Sequence, residues 1–219
     1  MPDARTRYAP LSDLPLSAEA ARHWLSGQEL AAQQAMRSAD RRRSWLAGRI
    51  VAKQLLCEVI AQHRDLAANV APAAIHVESR SARAGHGERP VVVIDSRRLP
   101  IAVSIAHTDR GALAAATIGD DCTLGVDLVV ASEPAQHLAW PFTDAERRWL
   151  AATAADQPRQ AQLWAMKEAI YKACQCGEGF APLSIEVLPG HSPRYPQLAA
   201  PRELAAWQSW RVDGQWAAL

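Results

Sequence analysis

"VVVIDSRRLPIAVSIAHTDRGALAAATIGDDCTLGVDLVV", residues 91–130, decides the fold class. It holds four short apolar runs: "VVVIDS", "IAVSIAH", "GALAAATIG" and "CTLGVDLVV". Each has strand length and is rich in Val, Ile or small apolar residues, and each is followed at once by a turn-length polar break. The breaks read as a turn at "RRLP", a second before Gly111 and a third at Asp120-Asp121. Links this short join neighbouring strands that run antiparallel. The stretch therefore predicts a largely antiparallel sheet.

Upstream, residues 17–37 are rich in Ala, Gln and Glu and predict a helix. A longer helix is expected over 41–63, capped by Ser38 or Asp40, with Leu46, Ile50, Cys57 and Ile60 at helical spacing. A short strand at 74–78 and a Gly- and Arg-rich loop at 81–90 follow. Downstream, "FTDAERRWLAAT" starts a helix at Thr143 or Asp144, and Glu146 completes a capping-box pattern. "RQAQLWAMKEAIYKACQ" predicts a second helix, ended by Gly177 and Gly179. The chain closes on a hairpin, "WQSWRV-DG-QWAAL", with Asp213-Gly214 as its two-residue turn. This order predicts an α+β fold with room for two similar halves, although no sequence repeat relates them.

With 219 residues, 49% of them hydrophobic, the chain can bury a full core. A net charge of +1 supplies no global field for nucleic acid or membrane, so anion binding must come from local clusters. No apolar run approaches a membrane span, and "MPDARTRYAPLSDLP" lacks the apolar centre of a signal peptide. Cys57, Cys122, Cys174 and Cys176 form no C-x-x-C and read as reduced apolar residues, which predicts a cytoplasmic protein.

Four clusters could carry chemistry. On the helix containing "LWAMKEAIYK" (163–172), Leu163, Met166, Ala169 and Ile170 share the core arc, beside Lys167, Tyr171, Trp164, Glu168 and Lys172. Glu168 and Lys172 fit either a solvated i,i+4 ion pair or a site for an anion and a metal. In "LGVDLVV", Asp127 shares a strand face with Gly125 and Val129; it either caps a turn or meets a cation. His107, at the end of "SIAH", is either a core histidine or a phosphate donor, and the closeness of Ser104, His107 and Asp109 excludes a hydrolase relay. In "DRRRSWLAGRIVAK", Arg42, Arg49 and Lys53 line one helical stripe, suited to phosphate or to solvent.

Taken in order, "DRRRSWLAGR…K", "GERP", "VSIAHTD", "LGVDLVV", "FTDAER" and "LWAMKEAIYK" resemble the 4′-phosphopantetheinyl transferases of the Sfp type over about residues 40–185. "G-[IV]-D" and "W-x-x-K-E-[AS]-x-x-K" are the most specific elements. The resemblance implies a pseudo-twofold pair of α+β halves with coenzyme A between them, here 1–109 (coenzyme A) and 110–219 (magnesium and catalysis). It implies transfer of phosphopantetheine from coenzyme A to a serine of an apo acyl or peptidyl carrier protein, with magnesium, by a monomer, releasing 3′,5′-ADP. It further implies Asp127 and Glu168 as metal ligands, Glu168 as general base, Lys172 on the phosphates, and Lys167 in phosphate neutralisation or site support. Arg43, Ser44, Arg49, Ser104, His107 and Thr108 would meet coenzyme A, His107 at its 3′-phosphate and Arg89 beside the adenine. Where many members have D-x-E, this chain has Val129, and Ala31 and Ala32 stand where basic residues are usual. These departures also fit a non-catalytic homologue that binds a carrier protein or coenzyme A.

Overall fold

The computed structural model describes residues 4–67, 69–78, 90–119, 122–131, 141–153, 158–174, 179–191, 193–195 and 208–219. The chain forms two compact units, Pro2–Leu124 and Gly125–Leu219. Both are built from antiparallel sheet and helix, so the fold class is α+β. The division lies at Leu124/Gly125 rather than at 109/110. The reason is that the strands on either side of Asp109 pair continuously from Ile101↔Ile118 to His107↔Ala112 and cannot belong to separate cores.

In the first unit, five strands run in the order β1 (Arg5–Pro10), β5 (Gly111–Ile118), β4 (Arg97–His107), β3 (Val91–Ile94), β2 (His76–Glu78), all neighbours antiparallel. The helix α3 (Ala39–Gln62) packs across β1, β5 and β4, and its buried Leu46, Ile50 and Leu56 meet Val92, Val103 and Ala114 in one core. Ser38 caps α3 by accepting from the Arg41 amide. The helical stretch at 17–37 is two helices, α1 (Ala18–Trp24) and α2 (Gly27–Ala35), because Ser26 stops the first and starts the second with a full capping box to Glu29.

Two local expectations for this unit change. "RRLP" is not a turn but the start of β4. Asp95 (φ 49°) and Ser96 (φ 62°) make the two-residue turn, placing Ile94 opposite Arg97. β1 carried no strand signal, since "RTRYAP" mixes basic and apolar residues. It is an edge strand, where Thr6 can face solvent and Pro10 needs no ladder partner for a missing N–H.

In the second unit, β6 (Asp127–Val130), β8 (Gln215–Ala218) and β7 (Ser209–Val212) form an antiparallel sheet. Of "CTLGVDLVV" only the last four residues are strand, and they pair with β8, not with the sheet that precedes them. α4 (Asp144–Ala152) starts at the Thr143/Glu146 capping box, and α5 (Pro158–Cys174) packs on β6 and β8. Phe142, Leu163, Met166, Ala169, Ile185 and Ala218 form the core. The Asp213-Gly214 turn (φ 51° and 73°) closes β7 on β8 as the sequence predicts. Among the described residues, no helix is long and apolar enough to cross a membrane.

Each unit contains the same buried strut. In the first, the capping-box Glu29 pairs with Lys53 at 2.5 Å and accepts from the Val77 amide at 3.3 Å; Lys53 also donates to Pro72 O at 3.1 Å. In the second, Glu146 pairs with Lys167 at 2.7 Å and accepts from the Val187 amide at 2.7 Å; Lys167 donates to Pro182 O at 2.8 Å. Pro72 and Pro182 each head a 3-10 turn, "PAAIHV" and "PLSIEV". The halves are thus alike in a device whose members are far apart in sequence.

Candidate functional site

β6 begins on Asp127, and α5 crosses the chain just before it. Gly125 makes that crossing possible: a Cβ there would stand 1.9 Å from Ala169 O and 2.5 Å from Ala173 N, inside the helix backbone. The close approach brings Asp127 to the face of α5 that carries Glu168 and Lys172. Lys172 Nζ lies 2.6 Å from Asp127 Oδ1 and 3.9 Å from Glu168 Oε2, and it donates to Val126 O at 3.2 Å. Trp164 stands one turn before Glu168 on α5.

Asp127 is 6% exposed, while the side chains of Glu168 and Lys172 retain 29% and 25%. The cluster is therefore half-closed, with its carboxylates desolvated but reachable. Burial pushes the Glu168 carboxyl up to about 7, and the Asp127 charge adds to this against the pull of Lys172 and of the Trp164 indole. Burial likewise raises Asp127, with Lys172 opposing. Burial works against the Lys172 ammonium, but the two carboxylates outweigh it and its pKa is raised. Two carboxylates and one ammonium in low-dielectric surroundings give a group that can take a proton near neutrality, beside a cation that can pair with an anion.

The donor set fits magnesium, which uses one or two carboxylates and fills its octahedron with water and substrate oxygens. The ammonium of Lys172 already occupies a cation position between the two acids. Val129 packs against the apolar core, and among the described residues no group of three His, Cys, Asp or Glu side chains converges.

Other expected residues are placed differently. Lys167 is fully buried on its strut to Glu146, Pro182 O and Ile185 O, so it holds α5 in place and its ammonium is shut away from solvent. The basic stripe of α3 is also turned inward. Lys53 is fully buried against Glu29, Arg49 is 5% exposed with Nε 3.4 Å from Glu29 Oε1 and its guanidinium over the Trp45 ring, and Arg42 donates to Met36 O. Ser104 is buried within β4 opposite Ala115. Thr108 Oγ1 accepts from the Arg110 and Gly111 amides and shapes the β4–β5 turn.

His107 ends β4 exposed, and its ring lies against α3, where a Cβ on Gly48 would be 3.2 Å from Cδ2. Ser44 sits one turn earlier on that helix, next to exposed Arg43. Arg43, Ser44 and His107 thus share one region of the first unit. Arg89 and Cys176 lie outside the described residues. Glu146 was legible as a cap and Glu29 was not, and neither was legible as the partner of a buried lysine. Phe180, which packs on both Trp164 and Tyr171, had no sequence signal.

Residues 123–218 match the model of the 4′-phosphopantetheinyl transferase superfamily, the family named by the motifs. That segment contains Asp127, Glu168 and Lys172. A 2.31 Å crystal structure of a holo-(acyl-carrier-protein) synthase from Bacillus anthracis str. Ames in complex with CoA (3′,5′-ADP) is similar at 17% identity. The match covers 52% of this chain and 93% of that one, with a TM-score of 0.41. No curated protein sequence matches the chain.

Proposed function

We propose that this protein transfers 4′-phosphopantetheine from coenzyme A to a serine of an apo acyl or peptidyl carrier protein, in the cytoplasm and as a monomer. The observation that carries the reading is the Asp127–Lys172–Glu168 cluster, lying within the segment that matches the superfamily. Glu168, whose carboxyl titrates near neutrality, takes the proton of the serine hydroxyl. The serine oxygen bonds to the β-phosphorus of coenzyme A, and the bond from that phosphorus to the bridging oxygen breaks. That electron pair leaves with 3′,5′-ADP. Lys172 pairs with the diphosphate oxygens, whose charge its ammonium offsets. When bound by Asp127 and Glu168, magnesium would supply further neutralisation of the diphosphate. Arg43, Ser44, His107, Thr108 and Arg89 are the residues we assign to coenzyme A. Arg49 and Ser104 support them from inside the core.

The test is incubation with coenzyme A, magnesium and several apo carrier proteins, read by mass spectrometry. Gain of one phosphopantetheine group on a carrier is expected, and Glu168→Gln abolishes it while the fold, read by circular dichroism, stays intact. No gain on any carrier would overturn the reading. Val129 favours a second reading, a non-catalytic binder of a carrier or of coenzyme A. It predicts carrier binding by calorimetry that is indifferent to magnesium and unaccompanied by transfer.

A further inference from the structure

The repeated strut supplies an internal control. Lys53 and Lys167 hold the same place in the two units, as do Pro72 and Pro182. Stations on α3 and α5 can therefore be matched by counting from the lysines. One residue after each lysine come Gln54 and Glu168; five after, Glu58 and Lys172. On the neighbouring strand, Arg7 bonds Gln54 at 2.9 Å and pairs with Glu58, just as Asp127 pairs with Lys172. The polarity is inverted. The first unit carries an exposed Arg–Glu pair where the second carries the acidic cluster.

Whatever both units share belongs to the architecture, and whatever accompanies only the acidic cluster is a candidate for that site. The Glu–Lys strut is shared. The aromatic wall is not. Three residues before the strut lysine stands Trp164 in the second unit and Ile50 in the first. Four after stand Tyr171 and Cys57, and two before the proline stand Phe180 and Val70. Ile50, Cys57 and Val70 pack as ordinary apolar residues in or on the first core. Their counterparts form a connected set: Trp164 meets Phe180 edge-on at 5.4 Å between centroids, and Tyr171 meets the same ring at 5.0 Å. Trp164 and Tyr171 flank Glu168 along α5 at helical spacing.

We propose that Phe180 and Trp164 are positioning residues for Glu168. Phe180 fixes the plane of the Trp164 ring, so that the indole N–H is aimed at the Glu168 carboxylate and leaves it one orientation, toward Asp127 and Lys172. A phenyl ring is needed at 180 because an edge-to-face contact sets ring direction, which an aliphatic contact does not. The proposal deepens the transferase reading and its kinetic arm rests on that reading; its structural arm does not.

The structural arm uses the indole N–H signals of the eight tryptophans in a heteronuclear NMR spectrum, with Trp164 assigned by its loss in Trp164→Phe. Phe180→Leu and Glu168→Ala should each move the Trp164 signal upfield, while Phe180→Tyr leaves it in place. In the kinetic arm, Trp164→Phe and Phe180→Leu lower kcat by about tenfold or more, the effect of losing one hydrogen bond to a charged group. KM for coenzyme A stays within about twofold, since neither residue holds the nucleotide, and Phe180→Tyr restores the rate. A Trp164 signal unmoved in Phe180→Leu overturns the proposal, even if the enzyme is slowed. A loss matched by an equal rise in KM, or not rescued by Tyr, also overturns it. A wild-type protein with no transfer activity sinks the transferase reading alone and leaves the NMR arm to decide.

Discussion

Replacing Gly125 by alanine should damage the second unit more than any other single methyl addition among its described glycines. The added Cβ would stand 1.9 Å from Ala169 O, 2.5 Å from Ala173 N and 3.0 Å from Ala169 C. Ordinary contact begins near 3.4 Å, so α5 or the chain before β6 must retreat by about 3.4 − 1.9 = 1.5 Å. These neighbours are backbone atoms of a helix whose Leu163, Met166 and Ala169 are at most 2% exposed, so no side chain can rotate out of the way. Overpacking of this kind costs about 1–3 kcal/mol, occasionally more, and the absence of any soft neighbour places this case at about 3 kcal/mol. For a chain of this size, that lowers Tm by about 6–12 °C. The same retreat would open the 2.6 Å Lys172–Asp127 contact and stop transfer. Gly27→Ala is the control: nothing lies within 4 Å of its Cβ and it sits in α2, so Tm should stay level or rise slightly. Thermal melts by circular dichroism, with the transfer assay below Tm, read both effects. A Gly125→Ala protein melting within about 2 °C of wild type with normal transfer would refute the close-approach account.

Lys167→Met should cost about 3–5 kcal/mol in urea unfolding, because it leaves the Glu146 carboxylate buried without its cation; adding Glu146→Gln should recover a large part of that. Failure of the second change to recover stability would mean that the lysine acts through packing alone. Glu168 gives a pH dependence of known sign. Its folded pKa, about 7, lies above the ordinary 4.5, so the native state binds the extra proton and this group's contribution to stability falls as pH rises through that window. Glu168→Gln removes the dependence, and melts at pH 8 should show the variant gaining on wild type relative to pH 4.5. A gap independent of pH would rule out the raised pKa.

The features legible in the sequence are those decided within a few residues. The Thr143/Glu146 capping box, the Asp213-Gly214 hairpin, the cap at Ser38 and the core arc of α5 depend on contacts one turn apart, and each is found as read. The motif order also pointed to Asp127, Glu168 and Lys172, which the fold brings together. β1 was not legible, because an edge strand needs only one paired side and carries little apolar pattern. Nor was the allegiance of β6, whose partner β8 lies at the other end of the second unit.

Charge was the least legible feature. Arg49, Lys53 and Lys167 have the spacing of surface cations, yet all three are buried beside acids from distant helices. A helical wheel shows which residues share a face, but not whether that face meets water or a buried carboxylate. The sequence by itself determined the caps of α3 and α4, the Asp213-Gly214 hairpin and the motif order that singles out Asp127, Glu168 and Lys172, through local hydrogen bonding and residue spacing. The tertiary structure decided which cations brace the fold and which one, Lys172, faces the acids of the site. That choice depends on long-range pairing and desolvation, neither of which a run of neighbouring residues can encode.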